Sequence, residues 1–213
     1  MNMKTFNRCL IYVMSIFIIS LGASLSIKAN LGTAPLICVP YVCSLISNLS
    51  VGTVTFIFNL ILIAIQIILL KRDFEKRQLL QIVMGTIFSA CIDFSLGLVS
   101  FVNPTDYISQ VAILMVSCVV IAVGVLLEIK TEIVYLPADG FIYAISKVLK
   151  KEFAKVKPYV DTSLVIMAAI SSVVFLGYLA GVREGTVISA VIIGPIVNVL
   201  KKRFDPIIDS LID

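Results

Sequence analysis

The sequence predicts an all-α polytopic membrane protein with six transmembrane helices, two short re-entrant or broken helices, and an inverted internal repeat of three plus three spans. Three observations lead to this fold class. Of the 213 residues, 60% are hydrophobic and 14% are charged, whereas soluble domains average about 25% charged residues. Six apolar runs are long enough to cross a bilayer. The break after the first run recurs 102 positions later in the chain.

The repeated break joins the end of an apolar run to a lone lysine, helix-breaking residues and a proline. A weaker similarity relates the run that begins at Gly85 to the run that begins at Gly185. We therefore divide one membrane domain into a first repeat, 1–104, and a second, inverted repeat, 105–213. The residues matched by the shift of 102 include Gly22 and Gly124, Leu25 and Leu127, Lys28 and Lys130, Pro35 and Pro137, and Ser44 and Ser146.

The first repeat begins with a span, which is followed by a short apolar helix that cannot cross a bilayer. Thr33 is positioned to cap this short helix, and Pro35 suits its first turn. A charged loop, 71–77, separates the next two spans. The predicted elements are the spans 9–27, 51–70 and 79–102 and the short helix 35–47.

The second repeat keeps the same order of elements. A turn without Lys or Arg leads into it, and a lysine-rich segment, 147–157, follows its short helix. The predicted elements are the spans 107–129, 158–180 and 185–200 and the short helix 137–149.

The positions of the basic residues predict the topology. With the N-terminus and C-terminus cytoplasmic and both short helices re-entrant, all of the 17 Lys and Arg residues except Lys28 and Arg183 lie inside. Spanning short helices would place the 71–77 loop outside, against the positive-inside rule. In the favoured topology the first span and its repeat partner cross in opposite directions, which makes the duplication inverted.

Charged and polar residues near the breaks are the candidates for a substrate or ion site. An acid inside a membrane span is costly unless it is paired or faces water. The inverted repeat would then set Lys28 and Asn30 opposite the acids of the second half, with alternative roles open: snorkelling for the lysines and helix capping for Asp139 and Asp161. The candidates are Lys28, Asn30, Asp93, Lys130, Glu132, Asp139 and Asp161.

Several classes of function find no support in the sequence. The chain has no His, the commonest general base and metal ligand, so we expect neither catalysis nor a metal site or cofactor. The five cysteines lie in apolar runs without a CxxC spacing and are expected to be packing residues. The basic clusters follow topology, so we expect no binding to nucleic acid.

Five short motifs lie near the predicted breaks and span ends: Ile27-Lys-Ala-Asn-Leu-Gly-Thr-Ala-Pro35, Ser50-Val-Gly-Thr53, Lys155-Val-Lys-Pro-Tyr-Val-Asp161, Gly181-Val-Arg-Glu-Gly-Thr186 and Ile193-Gly-Pro195. These motifs resemble those of the YczE/YyaS/YitT group of bacterial integral membrane proteins. Two departures are visible: Asn30 stands where the group often has Asp, and Leu36-Ile37 replaces a Trp-Asp pair. The resemblance implies a small multi-pass protein of the bacterial inner membrane, without an established reaction.

Two functions fit these observations. Inverted repeats with paired helix breaks are typical of secondary transporters, which favours a transporter or exporter of a small solute, coupled to protons or ions. The alternative is a substrate-binding membrane subunit of a larger, energy-coupled transport complex. The expected partners are the lipid bilayer, a small molecule or ion, and either further copies of the chain or the other subunits of that complex.

Overall fold

The computed structural model describes the backbone of residues 3–212 and the side chains of residues 7–204. All secondary structure in that range is helical. Six of the helices are long and apolar enough to cross a membrane, which confirms the all-α polytopic fold class. The helices are α1 (Met3–Lys28), α2 (Pro35–Ser47), α3 (Val51–Leu70), α4 (Leu80–Leu98), α5 (Tyr107–Thr131), α6 (Pro137–Leu149), α7 (Phe153–Leu176) and α8 (Glu184–Ile212), with short 3₁₀ turns at Lys71–Asp73 and Lys76–Leu79.

The predicted bounds of α2, α3 and α6 are confirmed. The predicted start of α7 is wrong, because the helix begins at Phe153 and passes through Pro158. A proline this close to a helix start removes one backbone donor without ending the helix, although it costs some stability. The lysine-rich segment therefore contributes residues to α7 itself.

Helices α1 and α5 pack closely where each has a glycine, Gly22 in α1 and Gly124 in α5. A Cβ at Gly22 would lie 2.6 Å from Ile121 Cγ1 and 2.9 Å from the Ile121 nitrogen. A Cβ at Gly124 would lie at the same two distances from Ile19. Because position 22 meets position 121 while position 19 meets position 124, the two helices run antiparallel. Only glycine allows backbones to approach this closely, as is common where helices pack in a membrane.

Each short helix packs mainly on a long helix from the other part of the chain. Helix α2 lies against α7, and α6 lies against α3. Cys38 and Val42 of α2, for example, share a buried cluster with Val160 and Leu164 of α7. Lipid is as apolar as these side chains, so close packing rather than exclusion from water holds such contacts together.

The segment around α6 enters and leaves the bundle at the same end. At its start, Arg77 Nη2 donates a 2.8 Å hydrogen bond to the Glu132 carbonyl. At its far end, Lys147 Nζ approaches the Asp73 carbonyl at 3.5 Å. Both partners belong to the connection between α3 and α4. Between these ends, Gln66 Nε2 donates to the Pro137 carbonyl at 3.1 Å, which places the first turn of α6 deeper, against the body of α3.

The connection between α1 and α2 is bonded to the turn between α7 and α8. Both the Thr33 nitrogen, at 2.8 Å, and the Thr33 hydroxyl, at 3.1 Å, donate to the Gly181 carbonyl. The expectation that Thr33 caps α2 is therefore wrong, because its hydroxyl is used in this contact. Gly32 has φ +101° and faces the Arg183 backbone, so a side chain there would be both strained and obstructed.

Candidate functional site

The first turn of α6 is capped by a carboxylate from α5. Glu128 is buried, with 5% of its surface exposed, and its Oε1 accepts a 2.9 Å hydrogen bond from the Leu136 N–H. Helix starts leave backbone donors without partners, and a side-chain oxygen commonly satisfies one of them. At the start of α2 the same task falls to Ser26, whose Oγ accepts from the Ala34 N–H at 3.3 Å.

Lys157 of α7 joins two carboxylates at this end of α6. Its Nζ lies 2.6 Å from Asp139 Oδ1, in the first turn of α6, and 3.9 Å from Asp161 Oδ2, one turn further along α7. The two carboxylates are mostly shielded, with 18% and 21% of their side chains exposed, whereas Lys157 is 41% exposed. The ammonium thus links the short helix to the span behind it. We call Glu128, Asp139, Lys157 and Asp161 the charged cluster.

An aromatic stack covers one side of the charged cluster. The Tyr135 ring lies 5.7 Å from Tyr143 and 6.0 Å from Phe153, centroid to centroid, and both pairs are stacked. Lys157 Nζ stands 5.8 Å from the Phe153 centroid, within the range of a cation–π contact. The ammonium group of Lys157 is therefore held by the two carboxylates and by the face of the Phe153 ring.

The charged cluster contains carboxyl groups, which can bind a proton or a cation. Two of its carboxylates, Asp139 and Asp161, contact the same ammonium, and the third, Glu128, lies at the same turn of α6. Like charges in a poorly solvated place repel, so the ammonium of Lys157 stabilises Asp139 and Asp161 beside each other. Any cation that enters must compete with Lys157 for Asp139, and that competition acts directly on the attachment of α6.

Among the predicted site residues, the structure brings Asp139 and Asp161 together through Lys157. Asn30 and Glu132 lie elsewhere and in matching places. Each has a positive φ, 57° and 51°, within two residues of the end of α1 or α5. Each also offers its carbonyl to an arginine: Asn30 to Arg183 Nη1 at 3.1 Å, Glu132 to Arg77. Their backbones therefore shape the breaks, while their side chains are not part of the charged cluster.

Asp93 caps α3 from the neighbouring helix α4. Its Oδ2 accepts from the Ser50 hydroxyl at 2.6 Å, and its Oδ1 accepts from the Gly52 N–H at 2.7 Å. A Cβ at Gly52 would lie 2.5 Å from the same carboxylate, so the glycine makes room for it. Both oxygens are engaged at a helix start, far along the chain from the charged cluster.

The two predicted lysines lie in the last turns of their helices. Lys28 ends α1, and Lys130 lies one residue before the end of α5. A cation in this place interacts favourably with the negative end of the helix dipole.

Sequence reasoning missed Lys157, which it treated as part of a cytoplasmic loop. The error followed from starting the span at Pro158. The spacing of four between Lys157 and Asp161 was a usable signal, because residues four apart lie on one face of a helix. Glu128 is a second member of the charged cluster that is absent from the predicted candidates, although the sequence places it near the end of a predicted span.

A second feature, a cleft of about 260 Å³, lies at the connection between α1 and α2. Tyr41 and Tyr178 supply its rings, and Asn30 and Arg183 supply polar groups. Its position beside the turn between α7 and α8 separates it from the aromatic stack and from the connection between α3 and α4. The bundle thus has a polar depression at one break and a charged cluster at the other.

Comparison with known proteins gives one family and no further relative. No curated protein and no solved structure matches the chain. A family model matches residues 6–202, which include every residue of the charged cluster and of the cleft. By this match the chain belongs to the family of unknown function DUF6198.

Proposed function

We propose that the chain is a secondary transporter of a small solute, coupled to protons or cations through the charged cluster. One observation carries the proposal: Lys157 Nζ contacts the carboxylates of Asp139 and Asp161 at the first turn of the short helix α6, and a third carboxylate, Glu128, caps the same turn. Ionisable groups among membrane spans are expensive and usually mark ion or substrate pathways. Broken helices are the usual place for such sites in transporters.

The proposal includes an inverted repeat, in which residues 1–104 and 105–213 have opposite orientations. The reciprocal contacts of Gly22 and Gly124 support it, as does the antiparallel crossing of α1 and α5. The positive φ of Asn48 and Lys150, also 102 positions apart, supports it at the far ends of α2 and α6. Such repeats allow two alternative arrangements of similar energy, open to opposite sides.

The coupling step that we propose is an exchange of partners at Asp139. With Lys157 bound to Asp139, α6 is tied to α7. A proton on Asp139 removes that tie and leaves Lys157 to Asp161 alone, whereas a cation bound between Asp139 and Asp161 displaces Lys157 from both. Because Glu128 holds the same turn through Leu136, the movement of α6 would pivot on this cap.

We also propose that the protein lies in the bacterial inner membrane and that both of its termini are cytoplasmic. The distribution of Lys and Arg supports a cytoplasmic N-terminus and C-terminus. The motifs shared with the YczE/YyaS/YitT group support a bacterial inner membrane. In this orientation the charged cluster faces the cytoplasm and the cleft at Asn30 faces outward.

The test is the thermal stability of the purified protein across a library of metabolites and ions at two pH values. A ligand at 100 times its Kd adds about 2.7 kcal/mol to the stability of the folded state. We expect at least one ligand to stabilise the protein, with a shift that depends on pH and is lost in Asp161→Asn. The matched control is Glu75→Gln, which removes an acid outside the cluster and should keep the shift.

A ligand whose effect survives in Asp161→Asn, in Asp139→Asn and at both pH values would show that the cluster is not the coupling site. If no compound stabilises the protein and ATPase subunits co-purify with it from the native membrane, the chain is instead a subunit of an energy-coupled complex.

A further inference from the structure

Four amide side chains contain buried polar atoms that bond to nothing in the protein. Among the described side chains, the buried nitrogen and oxygen atoms without a partner are Asn59 Nδ2, Gln66 Oε1, Gln78 Oε1 and Gln81 Oε1. Gln66, Gln81 and Asn59 are 0%, 1% and 5% exposed. All four residues come from α3 or from the start of α4 and the turn before it. We call them the amide row.

The inner part of the amide row surrounds the first turn of α6. A Cβ at Gly140 would lie 2.8 Å from Gln81 Oε1 and 2.9 Å from Gln66 Oε1. A Cβ at Gly85 would lie 3.4 Å from Asn59 Nδ2 and 3.1 Å from Pro137 Cγ. These three amides therefore converge on the residues that flank Asp139.

The outer part of the row reaches the connection between α3 and α4. Gln78 lies in the turn Lys76–Leu79, three residues before Gln81. That turn contains Arg77, which contacts the start of the α6 segment, and it lies shortly after Asp73, which contacts the far end of that segment. The row thus runs from one end of the bundle to the first turn of α6.

The energetics of the row call for a hydrogen-bonding occupant. A buried polar group without a partner costs about 1–3 kcal/mol, so four of them would cost as much as a whole domain's net stability. Buried polar groups in folded proteins are bonded to protein or to ordered water in the great majority of cases. Three of these atoms are acceptors and one is a donor. Water is the smallest molecule that serves both kinds.

The packing of a short helix on a span does not by itself produce such a row. The positions 102 residues after Asn59 and Gln66 are Asp161 and Ala168, on the α7 face that α2 covers. Ala168 is buried and has no polar atom in its side chain. Helices α2 and α7 therefore pack together without matching amide side chains. The amide row belongs to the interface of α3, α4 and α6 alone.

We propose that the amide row binds a file of water molecules between α3, α4 and α6, leading from the connection between α3 and α4 to the turn that carries Asp139. The binding of water stands independently of what the protein transports. Its use as an access route for protons to the charged cluster rests on the transport function proposed above.

The experiment measures whether water reaches single cysteines placed along the row. In a variant with the five native cysteines replaced by alanine, Gln81→Cys and Asn59→Cys are treated with a charged methanethiosulfonate reagent, and intact mass reports the modification. The reagent attacks the thiolate, which an apolar environment suppresses. Ile92→Cys, at a fully buried apolar position of α4, is the dry control, and Glu75→Cys is the exposed control.

We expect Gln81→Cys and Asn59→Cys to react at least about tenfold faster than Ile92→Cys, since one unit of increase in a thiol pKa removes about nine tenths of its thiolate near neutral pH. Both reacting as slowly as Ile92→Cys, while Glu75→Cys reacts, would overturn the proposal. The assay uses purified protein and involves no transport, so a failed transport assay leaves its result intact.

A second measurement uses the unaltered protein and decides the matter if a cysteine variant does not fold. Hydroxyl radicals produced by X-rays from bound water modify the side chains nearest to that water. We expect modification of Pro137 and none of Ile92. An unmodified Pro137, with exposed residues of the same sample labelled, would reject the file of water.

Discussion

Glu128 accepts a hydrogen bond from the backbone N–H that precedes Pro137, and Ser26 does the same before Pro35, 102 positions earlier. The two caps occupy matching positions, with hydrogen bonds of 2.9 Å and 3.3 Å, and differ in chemistry. A serine hydroxyl stays neutral at every physiological pH, whereas a carboxyl group can gain or lose a proton. The second break is therefore the one whose cap can respond to pH.

Removing the cap at Glu128 should destabilise the protein. In Glu128→Ala the Leu136 N–H loses its partner in a buried place, which costs roughly 1–3 kcal/mol. Glu128→Gln keeps an acceptor oxygen and should retain most of the stability while losing any pH-dependent ligand response. Thermal unfolding in detergent measures the first effect, and ligand-induced shifts at two pH values measure the second. Equal stability of the alanine and glutamine variants would contradict the capping role.

Removing the ammonium of Lys157 should leave Asp139 and Asp161 as unpaired like charges. We expect Lys157→Met to unfold at a lower temperature at neutral pH and to recover as the pH falls, because protonated carboxyl groups need no counter-charge. Adding Asp139→Asn should restore part of the loss. Since Lys157 is 41% exposed and partly screened, we expect a coupling energy of about 1 kcal/mol in the double-mutant cycle. Additive losses would exclude the pairing.

Gly22→Ala and Gly124→Ala should destabilise the protein by similar amounts. Each added methyl group would lie 2.9 Å from a backbone nitrogen of the facing helix, which cannot move aside as a side chain can. Overpacking of this kind typically costs about 1–3 kcal/mol. Gly97→Ala is the control, because a Cβ there meets nothing within 4 Å. A large effect at one of the two glycines only would contradict the reciprocal contact, and unfolding midpoints decide between these outcomes.

Asp93 should behave as a structural residue. Asp93→Ala removes two hydrogen bonds at the start of α3, and caps of this kind are worth about 0.5–2 kcal/mol. We expect the variant to unfold at a lower temperature and to keep the same pH-dependent ligand shifts as the unaltered protein. Asp161→Asn should instead keep most of its thermal stability and lose the pH-dependent ligand shifts. Loss of the ligand response in Asp93→Ala, at unchanged stability, would return Asp93 to the candidate ion site.

Most of the fold could be predicted because bilayer length and hydropathy constrain membrane helices strongly. Prolines and charged segments also set the bounds of α2, α3 and α6, where the prediction agrees to the residue. The start of α7 was missed because Pro158 is a strong breaking signal locally. Packing against α2 and α6 supports the helix across it, and that support comes from contacts distant in sequence.

The candidate site was predictable only in part, for a related reason. Composition identifies Asp139 and Asp161 as acids in apolar surroundings, but it does not give the distance between two helices. Lys157 binds both only because α6 lies against the start of α7. The arginines that bond to the carbonyls of Asn30 and Glu132 belong to connections 153 and 55 residues away. Backbone carbonyls offer no sequence signal for such contacts.

Helix α2 is synthesised well before α7, the helix on which it packs. Residues 35–47 leave the ribosome more than 100 residues before 153–176, the helix that covers them. At 13 residues, α2 cannot cross the bilayer by itself in the meantime. It must therefore wait at the membrane surface or beside the insertion machinery until α7 arrives. The first half of this protein completes its fold only after translation has delivered the second.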